Sequence, residues 1–95
     1  MLIVAGYVRV PADLRAEYLR GVLPDTELAR HAPGCLAFVQ APDPLEADRV
    51  VIYERWESVR DLLAFRNSDS GEATPLPVIL GTEVLRYDVS GVGPP

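Results

Sequence analysis

Strand-like and helix-like segments alternate along this chain of 95 residues, and their order limits the folds open to it. The strand-like segments are rich in β-branched and aromatic side chains, while the helix-like segments carry apolar residues at spacings of three and four. The predicted strands cover residues 2–10, 35–40, 49–57 and 78–89. The order β-α-β-β-α-β predicts a ferredoxin-like α+β fold, in which a four-stranded antiparallel sheet carries both helices on one face.

The first helical segment follows Pro11, which suits the first turn of a helix. Its predicted apolar stripe comprises Leu14, Tyr18, Val22, Leu23 and Leu28. Pro24 interrupts this stripe, because proline lacks the amide hydrogen and clashes with the carbonyl of Arg20. We therefore expect a kink at Pro24, followed by a second helical piece over residues 25–31.

The second helical segment is short and begins after Ser58, a residue type favoured at helix N-caps. Its apolar stripe contains Val59, Leu62, Leu63 and Phe65. The polar sequence that follows predicts a loop from Asn67 to Pro77.

The length and the strand pattern predict one domain over residues 1–90 and a flexible tail at residues 91–95. Several strands are apolar on both sides, so the helices can cover only half of the apolar sheet surface. We expect a second copy of the chain to cover the other sheet face, which predicts a homodimer.

The composition excludes several kinds of catalytic site. The basic residues are nine arginines, and there is no lysine, one histidine (His31) and one cysteine (Cys35). A Schiff-base lysine is therefore impossible, and one chain lacks the histidines and cysteines of a zinc site. We accordingly predict no metal site within one chain.

The charge and hydropathy pattern also limits the partners and the location. The net charge of −5 argues against nucleic acid or an anionic membrane as the main partner. No segment is long and apolar enough to span a membrane, and the start of the chain lacks the pattern of a signal peptide. A lone cysteine fits a reducing compartment, so we expect a cytoplasmic protein.

A short motif at the end of the third strand suggests a family. Following Val50-Val51-Ile52-Tyr53, the chain reads Glu54-Arg55-Trp56-Glu57-Ser58, and the second strand opens with Pro33-Gly34-Cys35-Leu36-Ala37-Phe38. Over roughly residues 2–68 these features resemble the antibiotic biosynthesis monooxygenase family. The resemblance implies a dimeric α+β barrel, several of whose members oxidise quinols or polycyclic aromatics with molecular oxygen and without a cofactor.

The resemblance also implies which residues line a substrate cleft. Trp56 matches a family tryptophan that lines the cleft between sheet and helices, and Ile52 and Glu54 share its side of the strand. Where some relatives carry Asn, Tyr and His, this chain has Ile52, Leu62 and Phe65. The complete set of predicted substrate-binding residues is Tyr7, Phe38, Ile52, Trp56, Leu62 and Phe65.

Three further residues are candidates for catalysis. His31 is the only side chain with an ordinary pKa near neutrality, although a place at a helix C-terminus gives it a structural role as well. Glu54 is a second candidate base. Arg86 would stabilise a phenolate or carboxylate, or it would instead pair with Glu54 or Glu83.

Together these features predict a cofactor-independent monooxygenase that oxidises a small phenol or quinol with oxygen. The main alternative is a small-molecule-binding or stress-related dimeric α+β barrel protein without catalytic activity. An isomerase or cyclase on the same scaffold is a third possibility, because the fold alone does not determine the reaction.

Overall fold

The computed structural model describes residues 1–68 and 76–95 and confirms the predicted order of elements. The strands are β1 (Leu2–Arg9), β2 (Cys35–Pro42), β3 (Arg49–Trp56) and β4 (Gly81–Asp88), and the helices are α1 (Arg15–His31) and α2 (Val59–Arg66). A short 3-10 turn, Ala12–Leu14, joins β1 to α1. Most of the predicted loop between α2 and β4, residues 69–75, lies outside the described residues.

The four strands form one antiparallel sheet in the order β2-β3-β1-β4, which confirms the ferredoxin-like fold. The register places Phe38, Glu54, Val4 and Arg86 in one row across the sheet. Because side chains alternate between faces along a strand, all four belong to the same face. This is the face that packs against the helices.

Helix α1 is continuous through Pro24, so the expected separate second helical piece is wrong. Pro24 lies on the exposed side of the helix, where water can satisfy the carbonyl that its missing amide leaves free. Val22 and Ala29 are buried on either side of it, and their packing holds the helix together. Leu23 and Leu28, which we expected in the apolar stripe, are exposed.

Helix α2 begins as predicted, with Ser58 as its N-cap. The Ser58 Oγ accepts a hydrogen bond from the Asp61 amide at 3.1 Å and donates one to the Asp61 carboxylate at 2.9 Å. Gly34, in the turn before β2, has a φ of 81° and approaches Asp61 so closely that a Cβ would clash with its carboxylate. The turn after α1 and the first turn of α2 therefore pack tightly together.

Two apolar clusters fill the space between the sheet and the helices. One contains the buried residues Leu2, Val4, Ala29, Phe38, Trp56 and Leu62. The other contains Val8, Val10, Tyr18, Val22, Val50 and Ile52. Both clusters belong to one layer, because their strand residues all occupy the even-numbered, helix-facing positions of β1, β2 and β3.

Within residues 1–68 and 76–95, neither helix covers the opposite sheet face, and we call it the open face. Apart from Cys35, which precedes a register shift in β2, it carries the odd-numbered residues of the four strands. These include Val39, Val51, Leu85 and Tyr87, whose exposed fractions run from 38% to 63%. Strand β4 begins at Gly81, three residues later than predicted, and the exposed segment Val78–Leu80 precedes it. None of the helices in the described parts of the chain is long and apolar enough to cross a membrane.

Candidate functional site

Glu54 places a carboxylate on the helix-facing side of the sheet, beside the fully buried Trp56. The two residues are two positions apart on β3, so their side chains point to the same face. The indole Nε1–H of Trp56 donates a hydrogen bond to Glu54 Oε1 at 3.0 Å. This bond fixes the carboxylate and satisfies the only polar atom of the buried indole.

Three aromatic rings pack next to this carboxylate. The Phe65 ring from α2 lies 5.5 Å from the Trp56 ring, between centroids, and 6.0 Å from the Phe38 ring. Phe38 and Phe65 meet edge to face, at 69°. The three rings, one each from β2, β3 and α2, form an apolar wall beside Glu54.

A pocket of about 280 Å³ opens above Glu54. Its lining combines the carboxylate and two of the aromatic rings with polar groups from both helices and β2. The lining residues are Asp25, Phe38, Gln40, Glu54, Phe65, Arg66 and Ser68. An apolar wall with a few converging polar groups is typical of a small-molecule site.

Burial controls the proton affinity of Glu54. Loss of solvent raises the pKa of the Glu54 carboxyl above its ordinary value, while the Trp56 hydrogen bond and the positive charge of Arg66 act in the opposite direction. A carboxylate with a raised pKa is a stronger base, and a general base works best when its pKa approaches the working pH.

Gln40 lies two residues after Phe38 on β2 and shares its helix-facing side, and Tyr18 from α1 orients its side chain. The Tyr18 hydroxyl donates a hydrogen bond to Gln40 Oε1 at 3.3 Å. Burial, together with the negative charge of Asp25, raises the pKa of Tyr18, so its hydroxyl stays a donor at neutral pH. The Gln40 amide nitrogen is consequently oriented as a donor for a ligand in the pocket.

Three of the predicted site residues line this pocket or lie directly on it: Glu54, Phe38 and Phe65. Trp56, Ile52 and Leu62 are buried in the core below. Trp56 was expected as a cleft wall, but Phe65 stacks over its indole, which retains no exposed surface. Trp56 therefore acts on the site through its hydrogen bond to Glu54.

The other three predicted residues lie elsewhere. Tyr7 points to the open face, because it occupies an odd-numbered position of β1, and its hydroxyl donates to Glu83 Oε2 at 2.6 Å. His31 is exposed at the C-terminal end of α1, with Nδ1 2.8 Å from the Glu27 carbonyl oxygen. Arg86 is exposed on β4, and among the described residues it pairs with the Asp88 carboxylate at 3.9 Å, rather than with Glu54 or Glu83.

Sequence reasoning missed Asp25, Gln40 and Arg66. Gln40 could have been found, because it lies two residues after Phe38 on a predicted strand and so shares its face. Asp25 was hidden by the expected kink at Pro24. Arg66 was hidden because its orientation depends on where α2 sits on the sheet, which a local pattern does not specify.

The described parts of the chain contain no group of three or more His, Cys, Asp or Glu side chains arranged to hold a metal ion. The pocket residues offer one hydrogen-bonded carboxylate, a second acid, an amide and a guanidinium. These groups can bind a polar aromatic molecule, accept a proton and stabilise a developing negative charge.

The fold is shared with solved structures of several bacterial proteins. A Deinococcus radiodurans protein described as an antibiotic biosynthesis monooxygenase superposes with a TM-score of 0.82 at 16% identity, covering 97% of this chain and 95% of that chain. A Chloroflexus aurantiacus protein described in the same way gives a TM-score of 0.72 at 27% identity, covering 97% and 96%.

The heme-degrader MhuD of Mycobacterium tuberculosis, solved with two hemes bound in its active site, also has this fold. Its TM-score is 0.70 at 21% identity, and the match covers 98% of this chain and all of MhuD. At such identity the likeness concerns the fold alone. A sequence comparison with curated proteins finds no match.

The sequence itself matches the family model for antibiotic biosynthesis monooxygenases over residues 1–74. This match includes β1, β2, β3 and both helices, and with them Glu54, Trp56 and Phe65. The chain therefore belongs to the antibiotic biosynthesis monooxygenase family.

Proposed function

We propose that this protein is a cofactor-independent monooxygenase that oxidises a small phenol or hydroquinone with molecular oxygen. The observation that carries the proposal is the half-buried Glu54 carboxylate, held by Trp56 at the base of a pocket with two aromatic walls. Such a site needs to supply only an apolar surface, a proton acceptor and stabilisation of an oxyanion, because the substrate and oxygen perform the redox chemistry themselves.

The reaction begins with a flat aromatic substrate against Phe38 and Phe65. The Glu54 carboxylate takes the phenolic proton, and the raised pKa of Glu54 favours this transfer. The resulting phenolate passes one electron to oxygen, and the substrate radical and superoxide combine to form a carbon–oxygen bond. The peroxide recovers the proton from Glu54 to give a hydroperoxide on a carbon that still carries its hydrogen. Loss of that carbon-bound proton forms the quinone carbonyl as the O–O bond breaks, and the departing hydroxide leaves with a proton as water.

Arg66 is the cation suited to stabilise the phenolate and the peroxide. It lines the pocket in the last turn of α2, and its charge acts on Glu54 across that pocket. A guanidinium matches planar anions well, and a developing oxyanion gains most from a donor that is already in place. We therefore assign to Arg66 the role that the sequence pattern gave to Arg86.

The size and donor set of the pocket favour a substrate with one or two rings. Its volume of about 280 Å³ lies just below the roughly 300–1,000 Å³ that small-molecule pockets span. Heme, which MhuD degrades, does not suit these residues, because His31 lies outside the pocket lining and is the only histidine. We derive no step through an iron centre.

We also propose that the protein is a homodimer in which a second copy covers the open face. Exposed apolar side chains on three of its strands support this assembly, since a surface of this kind is unusual on a monomer. The helices and the Glu54 pocket lie on the opposite side of the sheet. Each subunit of such a dimer therefore keeps its own pocket accessible.

The test is oxygen uptake with a panel of hydroquinones and naphthols, comparing the wild type with Glu54→Gln. Glutamine keeps an acceptor for the Trp56 indole but cannot take the proton, so turnover is expected to fall about 10²- to 10⁴-fold. Glu17→Gln, on the exposed side of α1, is the matched control and should retain wild-type turnover.

Equal oxygen uptake by the wild type and Glu54→Gln would overturn the proposed reaction. If these aromatics bind with no turnover by the wild type, the alternative of a non-enzymatic binding protein is supported instead. Conversion of an aromatic without oxygen uptake would indicate an isomerase or cyclase.

A further inference from the structure

Arg55 is a half-buried cation on the open face with no counterion in the described part of the chain. It follows Glu54 on β3 and therefore points to the opposite side of the sheet. Its neighbours across the sheet are Ala37 on β2 and Ile3 on β1, and Tyr87 follows on β4. Its Nε is buried and has no hydrogen-bond partner.

The other two arginines of the open face are already paired within their own chain. Arg9 bonds the Asp48 carboxylate at 2.9 Å, and Arg49 bonds Glu46 at 2.7 Å. Both acids belong to the connection between β2 and β3, which lies at the far end of the sheet from Arg55. The connection therefore neutralises the cations at one end of the open face and leaves Arg55 at the other end unpaired.

A second copy that covers the open face would bury Arg55 completely. A buried guanidinium without a counterion is strongly destabilising, so the covering surface must bring a carboxylate to it. Among the odd-numbered residues of the four strands, Glu83 is the only acid. The Tyr7 hydroxyl holds its Oε2 and leaves Oε1 available as an acceptor.

The positions of Arg55 and Glu83 suit a two-fold axis. In the sheet register Arg55 lies level with Ile3, and Glu83 lies level with Tyr7. The two residues are two strands apart on either side of β1, so the midpoint between them falls at Ala5. A two-fold axis over Ala5 can place Arg55 of each subunit opposite Glu83 of the other, and the small alanine allows close approach at the centre.

We propose that Arg55 of one subunit forms a salt bridge with Glu83 of the partner subunit, twice in each dimer, and that this pair sets how the two sheets align. The proposal rests on the proposed homodimer and names the contacts that orient it. Because the rest of the strand surface of the open face is mainly apolar, it favours association without specifying one alignment, and the two charge pairs add that specificity.

The test is charge reversal, measured by sedimentation equilibrium. Arg55→Glu and Glu83→Arg each place like charges together, and each is expected to weaken the dimer about 30-fold or more. The double variant restores opposite charges and should recover most of the wild-type affinity. Arg60→Glu on the exposed surface of α2 is the control and should dimerise as the wild type does.

The outcomes separate this pair from the dimer itself. A monomeric wild type at micromolar concentration would remove the proposed homodimer and the pair with it. A dimeric wild type whose single variants dimerise equally well, or whose double variant is not rescued, would overturn the pair and leave the homodimer standing. If a charge reversal prevents folding, Arg55→Gln and Glu83→Gln provide the same comparison with a smaller expected loss.

Discussion

Glu54 and Arg55 are neighbours on β3, but they point to opposite faces of the sheet and meet different surroundings. On the helix-covered face, the Trp56 indole and the charge of Arg66 compensate the half-buried carboxylate of Glu54. On the open face, Arg55 has a buried Nε without any partner in the described part of the chain. The described residues of one chain therefore compensate the charge of Glu54 but provide no counterion for Arg55.

This difference separates two uses of a buried charge. The covered face contains a polar group with a fixed hydrogen bond and an adjoining pocket, which are the requirements of a site for chemistry. The open face combines an apolar surface with an uncompensated cation, which are the requirements of an interface. The sheet therefore divides the proposed functions of catalysis and assembly between its two sides.

The largest expected effect comes from truncating Trp56, the largest buried side chain on the helix-covered face. Trp56→Ala removes the fully buried indole and should lower the free energy of unfolding by about 3–5 kcal/mol. Leu85→Ala, on the open face, should lower dimer affinity but change monomer stability far less. Urea unfolding at several protein concentrations distinguishes the two, and equal losses at low concentration would contradict the contrast between the faces.

A smaller loss of stability is expected where the backbones of β1 and β4 approach each other closely, at Gly6. Gly6 has a φ of 150°, and a Cβ there would clash with the backbone oxygen of Glu83 on the neighbouring strand. Gly6→Ala should therefore lower the free energy of unfolding by more than about 1 kcal/mol. Gly81→Ala, where a Cβ meets no atom within 4 Å, is the matched control and should stay within about 0.5 kcal/mol of wild type.

Loss of the α2 N-cap should affect the covered face alone. Ser58→Ala removes the hydrogen bond to the Asp61 amide and should cost about 1 kcal/mol in thermal unfolding. The dimer dissociation constant should not change, because Ser58 precedes a helix on the other side of the sheet. A dimer weakened together with the fold would show that the two faces are coupled.

The smallest expected effect is a pH dependence caused by Glu54. Burial raises the pKa of Glu54 in the folded protein, so the folded state binds this proton more tightly than the unfolded state, whose pKa is about 4.3. The contribution of Glu54 to the free energy of unfolding therefore falls as pH rises from the unfolded-state pKa of about 4.3 to the folded-state pKa, and it stays low at higher pH.

Glu54→Gln lacks this titration, which gives the measurement. The stability of Glu54→Gln relative to wild type should increase with pH between the unfolded-state and folded-state pKa values of Glu54 and become constant above them. Urea unfolding between pH 3.5 and pH 8 would reveal this trend. A relative stability that decreases with pH would mean that the folded protein favours the ionised carboxylate.

The fold could be predicted from local patterns because each element carries its own signal. Alternating side chains mark β3, and Ser58 marks the start of α2. Pro24 gave a wrong prediction, because the packing of Val22 and Ala29 outweighs the loss of one exposed hydrogen bond. In such a helix tertiary contacts override local propensity.

The candidate site was only partly predictable, for a different reason. Glu54 and Phe38 follow from strand alternation once the helix-facing side is known. Tyr7 was placed in the cleft by its aromatic character, although its odd-numbered position on β1 puts it on the open face. Arg66 depends on the position of α2 over the sheet, which arises from long-range packing rather than from neighbouring residues.

The central claim is that Glu54 is the proton acceptor of the pocket, and the Trp56 indole reports on it directly. The chain has one tryptophan, so the indole N–H gives a single cross-peak in a ¹H–¹⁵N spectrum, and this N–H donates its hydrogen bond to the Glu54 carboxylate. We predict that this peak titrates with a midpoint above the ordinary glutamate value of about 4.3, moves when a naphthol binds, and loses its titration in Glu54→Gln. A midpoint at or below that value, or no response to any aromatic ligand, would contradict the account.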